Sequence, residues 1–468
     1  YLYWGSPMLS AMWNIVSLLS GSAILAQAFQ WFIGIISSLM LYILISNRFS
    51  RLSGLVGATI YYLTPKFIAF SSTATYDLAF LAFIFASLHT LLLWEEEKNI
   101  NWLILSSIFT GFTLATKYHG LYWALSIGIL LVYLLGKRWR KNFVNSIKII
   151  ISFTMISLVV VSPWYIRNFF VTGDPVWPLG YTLFQSNYWS QFLHDKYSSW
   201  NVGPGTSLLH YFSGLWNLTL NQSNWPGGLK QPYVLFQLIL LPGLIFFWKH
   251  LKINDKRTLI SIIIPIIISY MLWFTGYQHE RYVMPVMSLL LVPTSIVFSK
   301  LLKLHFAKYA AIFMLSLTLT FSICYQFIYT KQFIPVVFGL ESRDSFLRKK
   351  VPFYDDFKWV NDQLPKNSKI LTNYLRTFYF EHDYAIVPSY LNKDIKNMSN
   401  AEFISYLNEE SVTHLFIVDE SYERLIRELK DEKLISHIYA NIEAKRITSR
   451  TLGHYENAIV NVYRINYL

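Results

Sequence analysis

Long apolar runs separated by short polar ones fill the first 330 residues of the chain. The runs at 23–45, 52–70, 74–94, 100–116, 119–136, 147–163, 233–248, 258–275, 282–299 and 310–330 carry almost no charge. A stretch of roughly 20 apolar residues matches the hydrocarbon core of a bilayer, so each run is expected to be a spanning helix, the shorter ones lengthened or tilted. Residues 1–22, rich in aromatic and small side chains, read as an interfacial segment leading into the first span. After residue 341 the pattern changes. Short β-rich runs at 369–372, 413–418 and 458–463 alternate with helical stretches at 400–410 and 420–432, which predicts a small α/β domain. The expected fold class is an α-helical polytopic membrane protein with a small C-terminal α/β domain. About ten spanning helices are counted. The expected division is a membrane region at 1–340, holding a long loop at 164–232, and an α/β domain at 341–468.

Composition agrees with this class and charge orients it. The chain is 54 % hydrophobic and only 14 % charged, which excludes an ordinary soluble protein. A net charge of +13 needs no nucleic acid partner, because membrane proteins concentrate Lys and Arg in cytoplasmic loops. Arg48 and Arg51 follow the first span, and Lys137, Arg138, Arg140 and Lys141 the fifth. Lys249, Lys252, Lys256 and Arg257 follow the seventh, and Lys300, Lys303 and Lys308 the ninth. These alternate loops are expected in the cytoplasm. The other face receives 1–22, 71–76, 117–119, 164–232, 276–281 and everything after 331. The amino end then lies outside, so at least one more spanning helix is expected upstream of Tyr1 and the chain reads as an amino-terminal truncation. The single cysteine, Cys324, excludes an internal disulfide framework.

The polar groups that could carry chemistry all fall on the outer face. The stretch 162–184 follows an apolar run. Pro163 and Trp164 are expected at the membrane interface, Arg167 beyond it, and Gly173-Asp174-Pro175 in a turn. Arg167 is either a snorkelling arginine at a helix end or a phosphate ligand at the rim of a lipid-facing site. Asp77 opens a span, where the helix dipole alone would favour it, yet an acid at membrane depth is also a site hypothesis. Lys117, Tyr118 and His119 occupy a turn too short to be a domain. Gln278-His279-Glu280-Arg281-Tyr282 packs three ionisable groups at the start of another span. Lys117, Arg167 and Arg281 together supply cations for an anionic lipid head group. Asp77, His279 and Glu280 supply groups for proton transfer or a divalent cation. No spacing among them is a strong metal signature.

These residues also form a pattern. Thr75-Tyr76-Asp77-Leu78-Ala79 is followed by Gly111-Phe112-Thr113-Leu114-Ala115-Thr116-Lys117-Tyr118, then by Ser162-Pro163-Trp164 with Arg167-Asn168. Thr172-Gly173-Asp174-Pro175-Val176-Trp177-Pro178, Arg281-Tyr282-Val283-Met284-Pro285 and Gly339-Leu340-Glu341-Ser342-Arg343 complete it. The order resembles the family 39-like glycosyltransferases of the GT-C fold, relatives of protein O-mannosyltransferases and aminoarabinose transferases. The resemblance covers roughly residues 1–350 clearly and the outer domain loosely. It implies a polyprenyl-phosphate-linked sugar as donor, transfer to a glycan, lipid or protein acceptor, and a cell (inner) membrane location with the long loop and C-terminal domain extracytoplasmic. It also implies a catalytic base in a first outer loop that would precede Tyr1. Asp77 matches the family's second acidic position and is the catalytic candidate. Lys117, Tyr118, His119, Arg167, His279, Glu280 and Arg281 are the candidates for binding donor phosphate and substrate. No cofactor is certain, and room for a divalent cation is left open. Trp189, Trp200, Trp216 and Trp225 of the long loop are expected to anchor at the interface or stack on a sugar. The contrasting reading is a transporter or flippase for a glycolipid or anionic solute, for which Pro265 and Pro293 interrupt spans. Asn217-Leu218-Thr219 and Asn397-Met398-Ser399 fit the glycosylation sequon, a motif too common to assign a host.

Overall fold

The computed structural model describes residues 7–139, 142–198, 203, 205–221, 225, 232–374, 376–386, 399–418, 423–447 and 454–466. Arg140, Lys141, Trp200 and the Asn397-Met398 pair of the second sequon lie outside them. The chain divides into a larger unit of residues 3–185 and 200–329 and a smaller one of 186–199 and 330–468.

The larger unit is helical. Its elements are α1 (Met12–Leu19), α2 (Ala23–Ser46), α3 (Arg51–Leu63), α4 (Pro65–Ser71), α5 (Asp77–Glu97), α6 (Ile100–Thr116), α7 (Gly120–Trp139) and α8 (Phe143–Thr172). Short α9 (Tyr181–Phe184) follows, and after α10 (Gln191–Ser198) of the smaller unit come α11 (Leu208–Leu220), α12 (Phe236–Leu240), α13 (Gly243–Phe247), α14 (Ile253–Thr275), α15 (Met284–Leu289), α16 (Leu291–Leu301) and α17 (Ala307–Thr330). Several starts are set by local chemistry. The side chains of Ser22, Ser50, Asn99 and Asn142 each accept a backbone N–H of the first turn, as good N-caps do.

Among the described residues, six helices are long and apolar enough to cross a membrane: Ile24–Ser46, Asp77–Glu97, Phe143–Thr172, Ile253–Thr275, Met284–Leu301 and Ala307–Val337. The other expected spans are present as shorter or broken helices. The 52–70 run breaks at Thr64-Pro65, because Pro65 has no N–H to continue α3 and instead opens α4 as its first residue. The 233–248 run breaks between α12 and α13 at Leu241-Pro242. Conversely, Pro163 does not end its helix as expected. α8 runs on to Thr172 and stops at Gly173, whose left-handed backbone (φ 76°) caps it. The carbonyl of Val159, which Pro163 cannot bond, accepts the Ser162 hydroxyl at 2.8 Å. Arg167 therefore sits within α8 rather than beyond it.

Lipid tails offer no hydrophobic gain for helix association, so small and hydroxylated residues at contacts have to supply it. The Ser87 hydroxyl bonds Thr110 at 2.6 Å, the Ser157 hydroxyl donates to the Ser107 carbonyl at 2.9 Å, and Ser126 meets Ser269 at 2.7 Å. These tie α5 to α6, α6 to α8 and α7 to α14. At Gly111 a Cβ would lie 2.5 Å from that of Val160, so only glycine lets α6 and α8 approach this closely.

The smaller unit carries a five-stranded sheet. Its strands are β1 (Lys369–Thr372), β2 (Asp383–Ile386), β3 (His414–Val418), β4 (Ile435–Ile447) and β5 (His454–Ile465), in the order β2-β1-β3-β5-β4. β1 pairs parallel with β2 and β3, whereas β5 is antiparallel to both neighbours. Alternate residues of β3 face opposite cores. Leu415 and Ile417 join Phe403, Leu407 and Leu429, while Phe416 and Val418 join Phe353, Phe357 and Val360. Both faces of the sheet are thus covered by helices, which explains its nearly continuous apolar run. β2 and β4 are additions to the strands expected from the sequence.

Candidate functional site

α5 and α6 form a hairpin around the tight turn at Lys98-Asn99. Its arms, 21 and 17 residues long, bring the first residue of α5 level with the end of α6. Asp77 is that first residue and Lys117 follows the last turn of α6, so each charge sits at the helix end that favours it. Lys117 Nζ donates to Asp77 Oδ1 at 2.8 Å, with both residues buried. Gly120 closes the turn after Lys117 so tightly that a Cβ there would collide with the Thr113 carbonyl. The Lys117 ammonium lies 4.2 Å from the Phe80 ring centroid and 5.2 Å from that of Tyr282.

A second buried pair stands beside Arg281. Lys66, in the first turn of α4, reaches Glu280 Oε2 at 3.0 Å, and neither side chain is exposed by more than 1 %. The 277–282 segment is fixed from several sides. The Tyr233 hydroxyl donates to the Glu280 carbonyl at 2.9 Å, Trp273 Nε1 donates to the His279 carbonyl at 3.0 Å, and Gln278 Nε2 donates to the Phe274 carbonyl at 2.6 Å. Tyr282 stacks on His119 with centroids 3.5 Å apart. The Arg281 guanidinium rests over the same Tyr282 ring at 5.3 Å and is half-buried. Among the described residues its Nε has no hydrogen-bond partner, and no carboxylate lies within ion-pair distance of it.

Of the expected site residues, the structure brings Asp77, Lys117, His119, His279, Glu280 and Arg281 to one end of the helical unit. Tyr118 turns aside, donating its hydroxyl to the Trp177 carbonyl at 2.6 Å. Arg167 donates to its neighbour Asn168 Oδ1 at 3.4 Å. Asn168 in turn reaches the Pro175 carbonyl at 3.4 Å, so this stretch braces the 172–178 turn. Trp189 is buried, and Trp225 is buried in a stack on Trp273 at 5.4 Å, so neither stands open at a surface. Lys66 was not among the candidates. Its signal was an ionisable residue directly after a proline inside an apolar run.

Three cations, Lys66, Lys117 and Arg281, face two carboxylates, Asp77 and Glu280. Burial pushes Lys117 down from the usual ammonium range against the pull of Asp77. It lowers His119 well below its ordinary value, helped by Lys117 and Arg281. His279 is pushed down to about 3 by burial, with Arg281 adding to the effect and Asp77 opposing it. Burial works against the Arg281 charge too, but Asp77 and Tyr282 outweigh it and hold the guanidinium above its usual range. Both imidazoles are therefore neutral at pH 7, and the cluster keeps one surplus positive charge. Among the described residues, no three His, Cys, Asp or Glu side chains gather as a metal-binding group.

The depressed value at His279 has a consequence for stability. Unfolded, this imidazole takes up a proton below its ordinary 6.5, whereas folded it resists until about 3. Its contribution to stability is complete above 6.5 and is lost as the pH falls through that window, by about 1.4 kcal/mol per pH unit. The melting temperature is expected to fall on acidification below 6.5, and His279→Asn to flatten the fall. Thermal melts of both proteins across the window check this, and identical slopes would refute it.

Residues 5–166 match the family described as dolichyl-phosphate-mannose-protein mannosyltransferase. No curated protein matches the chain. Among solved structures, ArnT from Cupriavidus metallidurans in the apo state is similar with a TM-score of 0.58 at 12 % identity, over 98 % of this chain and 87 % of that one. The same protein bound to undecaprenyl phosphate gives 0.56 at 14 % identity, over 98 % and 88 %. At such identities the likeness establishes the fold. The chain is a multi-pass membrane protein with the GT-C fold and a small C-terminal sheet region.

Proposed function

We propose that the chain is a membrane glycosyltransferase that moves a sugar from a polyprenyl-phosphate-linked donor to an acceptor hydroxyl at the extracytoplasmic face of the inner membrane. The carrying observation is the buried cluster at the start of α5, whose surplus positive charge suits a lipid phosphate. The family match over 5–166 and the fold shared with a protein solved with undecaprenyl phosphate support the same reading. Nothing comparable favours a transporter or flippase, whose substrate groups would be expected near the bilayer midplane.

In this reading Arg281 forks onto the donor phosphate and Lys117 adds its charge from behind. The acceptor oxygen bonds to the anomeric carbon as the bond from that carbon to the phosphate oxygen breaks. The phosphate leaves with the electron pair and is stabilised by the two cations. Asp77, paired with Lys117 through Oδ1, offers Oδ2, which has no partner among the described residues, to the acceptor hydroxyl and its proton. Lys66 and Glu280 hold the segment that carries Arg281. The acceptor is a glycan, lipid or protein hydroxyl.

The test supplies the purified protein in lipid nanodiscs with undecaprenyl-phosphate pentose and hexose donors and a membrane lipid extract as acceptor source. Release of undecaprenyl phosphate with appearance of a glycosylated product is expected. Movement of intact donor between leaflets with no bond cleaved would replace the transferase reading with the transporter one.

A further inference from the structure

Beside the charged cluster lies a second group of polar atoms with the opposite character. Gln30 is fully buried in α2, yet neither Nε2 nor Oε1 of its amide has a hydrogen-bond partner among the described residues. Asn14 Oδ1, Thr75 Oγ1 and Asp77 Oδ2 are buried atoms in the same condition. A buried amide without a partner forfeits the hydrogen bonds it had in water, and native proteins seldom leave one so. Five such atoms, on α1, on α2 and at the entry to α5, require an account.

Their placement follows from how α2 and α5 run. A Cβ on Gly34 would lie 3.2 Å from Leu78 Cδ1, at the start of α5, while Arg48 just past α2 bonds His89 and Glu96 near the other end of α5. The two helices are therefore parallel. Gln30 lies one turn before Gly34 on the same face, about 6 Å further toward the amino end. Side chains of a helix lean that way as well. The Gln30 amide thus projects to the level of the 74–76 segment that leads into Asp77. α1 closes the place from the side. Asn14 Nδ2 donates to the Ala74 carbonyl at 3.4 Å, and Trp13 meets Phe29, the neighbour of Gln30, with centroids 6.1 Å apart.

We infer that Gln30, Thr75 and Asn14 form an uncharged polar subsite for the hydroxyl groups of the transferred glycosyl unit, next to the Asp77–Lys117 pair. A carboxamide, through its NH2 and its carbonyl oxygen, and a hydroxyl can each both donate and accept, as sugar hydroxyls do. They bring no positive charge for a phosphate, and they are the wrong lining for a polyprenyl tail. The subsite rests on the glycosyltransferase reading for the identity of its ligand, but its binding test does not depend on turnover.

The experiment compares affinities of the full-length protein in nanodiscs for undecaprenyl phosphate and for undecaprenyl-phosphate pentose and hexose, in wild type, Gln30→Leu and Thr75→Val. Wild type is expected to bind one glycosylated lipid at least roughly tenfold more tightly than the bare phosphate lipid, a gap of the size that hydroxyl recognition in a buried polar site produces. Gln30→Leu is expected to close that gap without weakening the bare lipid. Its melting temperature is expected to stay the same or rise, because an unpartnered buried amide has been removed. A gap left intact in both variants overturns the subsite. So does a wild type that shows no gap, or a Gln30→Leu protein whose melting temperature falls together with its binding of the bare lipid, which marks a structural role. A gap that behaves as expected in a protein that transfers no sugar would keep the subsite and reject the transferase reading.

Discussion

Arg281→Ala is expected to slow sugar transfer by roughly 10²–10³-fold while leaving folded protein in the membrane. No carboxylate among the described residues lies within ion-pair distance of Arg281, and Asp77, which feels its charge, keeps Lys117 as its direct partner when Arg281 is removed. Its guanidinium is held over Tyr282, in a segment pinned by Tyr233 and Trp273. What the variant loses is a preorganised fork for a phosphate that gains charge as the sugar departs. Both a raised donor KM and a lowered kcat follow. Arg281→Lys should recover part of the kcat, because a point charge returns without the two-pronged geometry. Steady-state kinetics with the lipid-linked donor measure this. Rates within threefold of wild type in Arg281→Ala would remove Arg281 from the site.

The largest effect on folding is expected from Lys66→Ala, which strands the Glu280 carboxylate in a place with almost no exposure. Breaking one partner of a buried pair typically costs about 3–5 kcal/mol. Replacing both together, as Lys66→Met with Glu280→Leu, removes no net charge and is expected to stay near wild-type stability. Thermal melts in nanodiscs separate the cases. A single variant as stable as wild type would mean the pair is not what holds the 277–282 segment. The double variant also asks whether the surplus charge alone suffices, since Lys117 and Arg281 still face Asp77 in it.

Much of this architecture can be read from the residues because bilayer thickness imposes a length on apolar runs. The runs from 23–45 to 310–330 each correspond to helix in the structure. The interruptions were harder. Pro65 and Pro163 look alike in sequence, each set in or at the end of an apolar stretch, yet one breaks its helix and the other does not. At Pro163 the preceding serine satisfies the freed carbonyl of Val159, whereas Thr64 turns its backbone out of the helix. Lys66 was hidden for the same reason. Only once the break at Thr64-Pro65 is known does a lysine inside an apolar run become a residue at a helix start, able to reach Glu280.

Asp77, Lys117 and the 279–281 group stood out because charge at the end of a span is costly without a partner. Which of them pair is a tertiary fact that sequence spacing does not hold. Arg167 carried the same signal and turned out to lie along α8 beside Asn168. Gln30 gives no signal, being one uncharged amide in a long apolar helix; what sets it apart is that its buried amide has no hydrogen-bond partner among the described residues. In the smaller unit, β1, β3 and β5 show as apolar runs. β4 does not, because Ser436, His437, Asn441, Glu443, Lys445 and Arg446 interrupt it.

A buried cluster at the start of α5 that receives a lipid phosphate must distinguish a phosphorylated lipid from its uncharged alcohol. The most direct measurement is the affinity of the purified protein in nanodiscs for undecaprenyl phosphate against uncharged undecaprenol, in wild type and Arg281→Ala. Wild type is expected to prefer the phosphate at least roughly tenfold, and Arg281→Ala to lose most of that preference while its affinity for undecaprenol is unchanged. Equal affinity for the two lipids in wild type, or a phosphate preference untouched by Arg281→Ala, would contradict that role for the cluster.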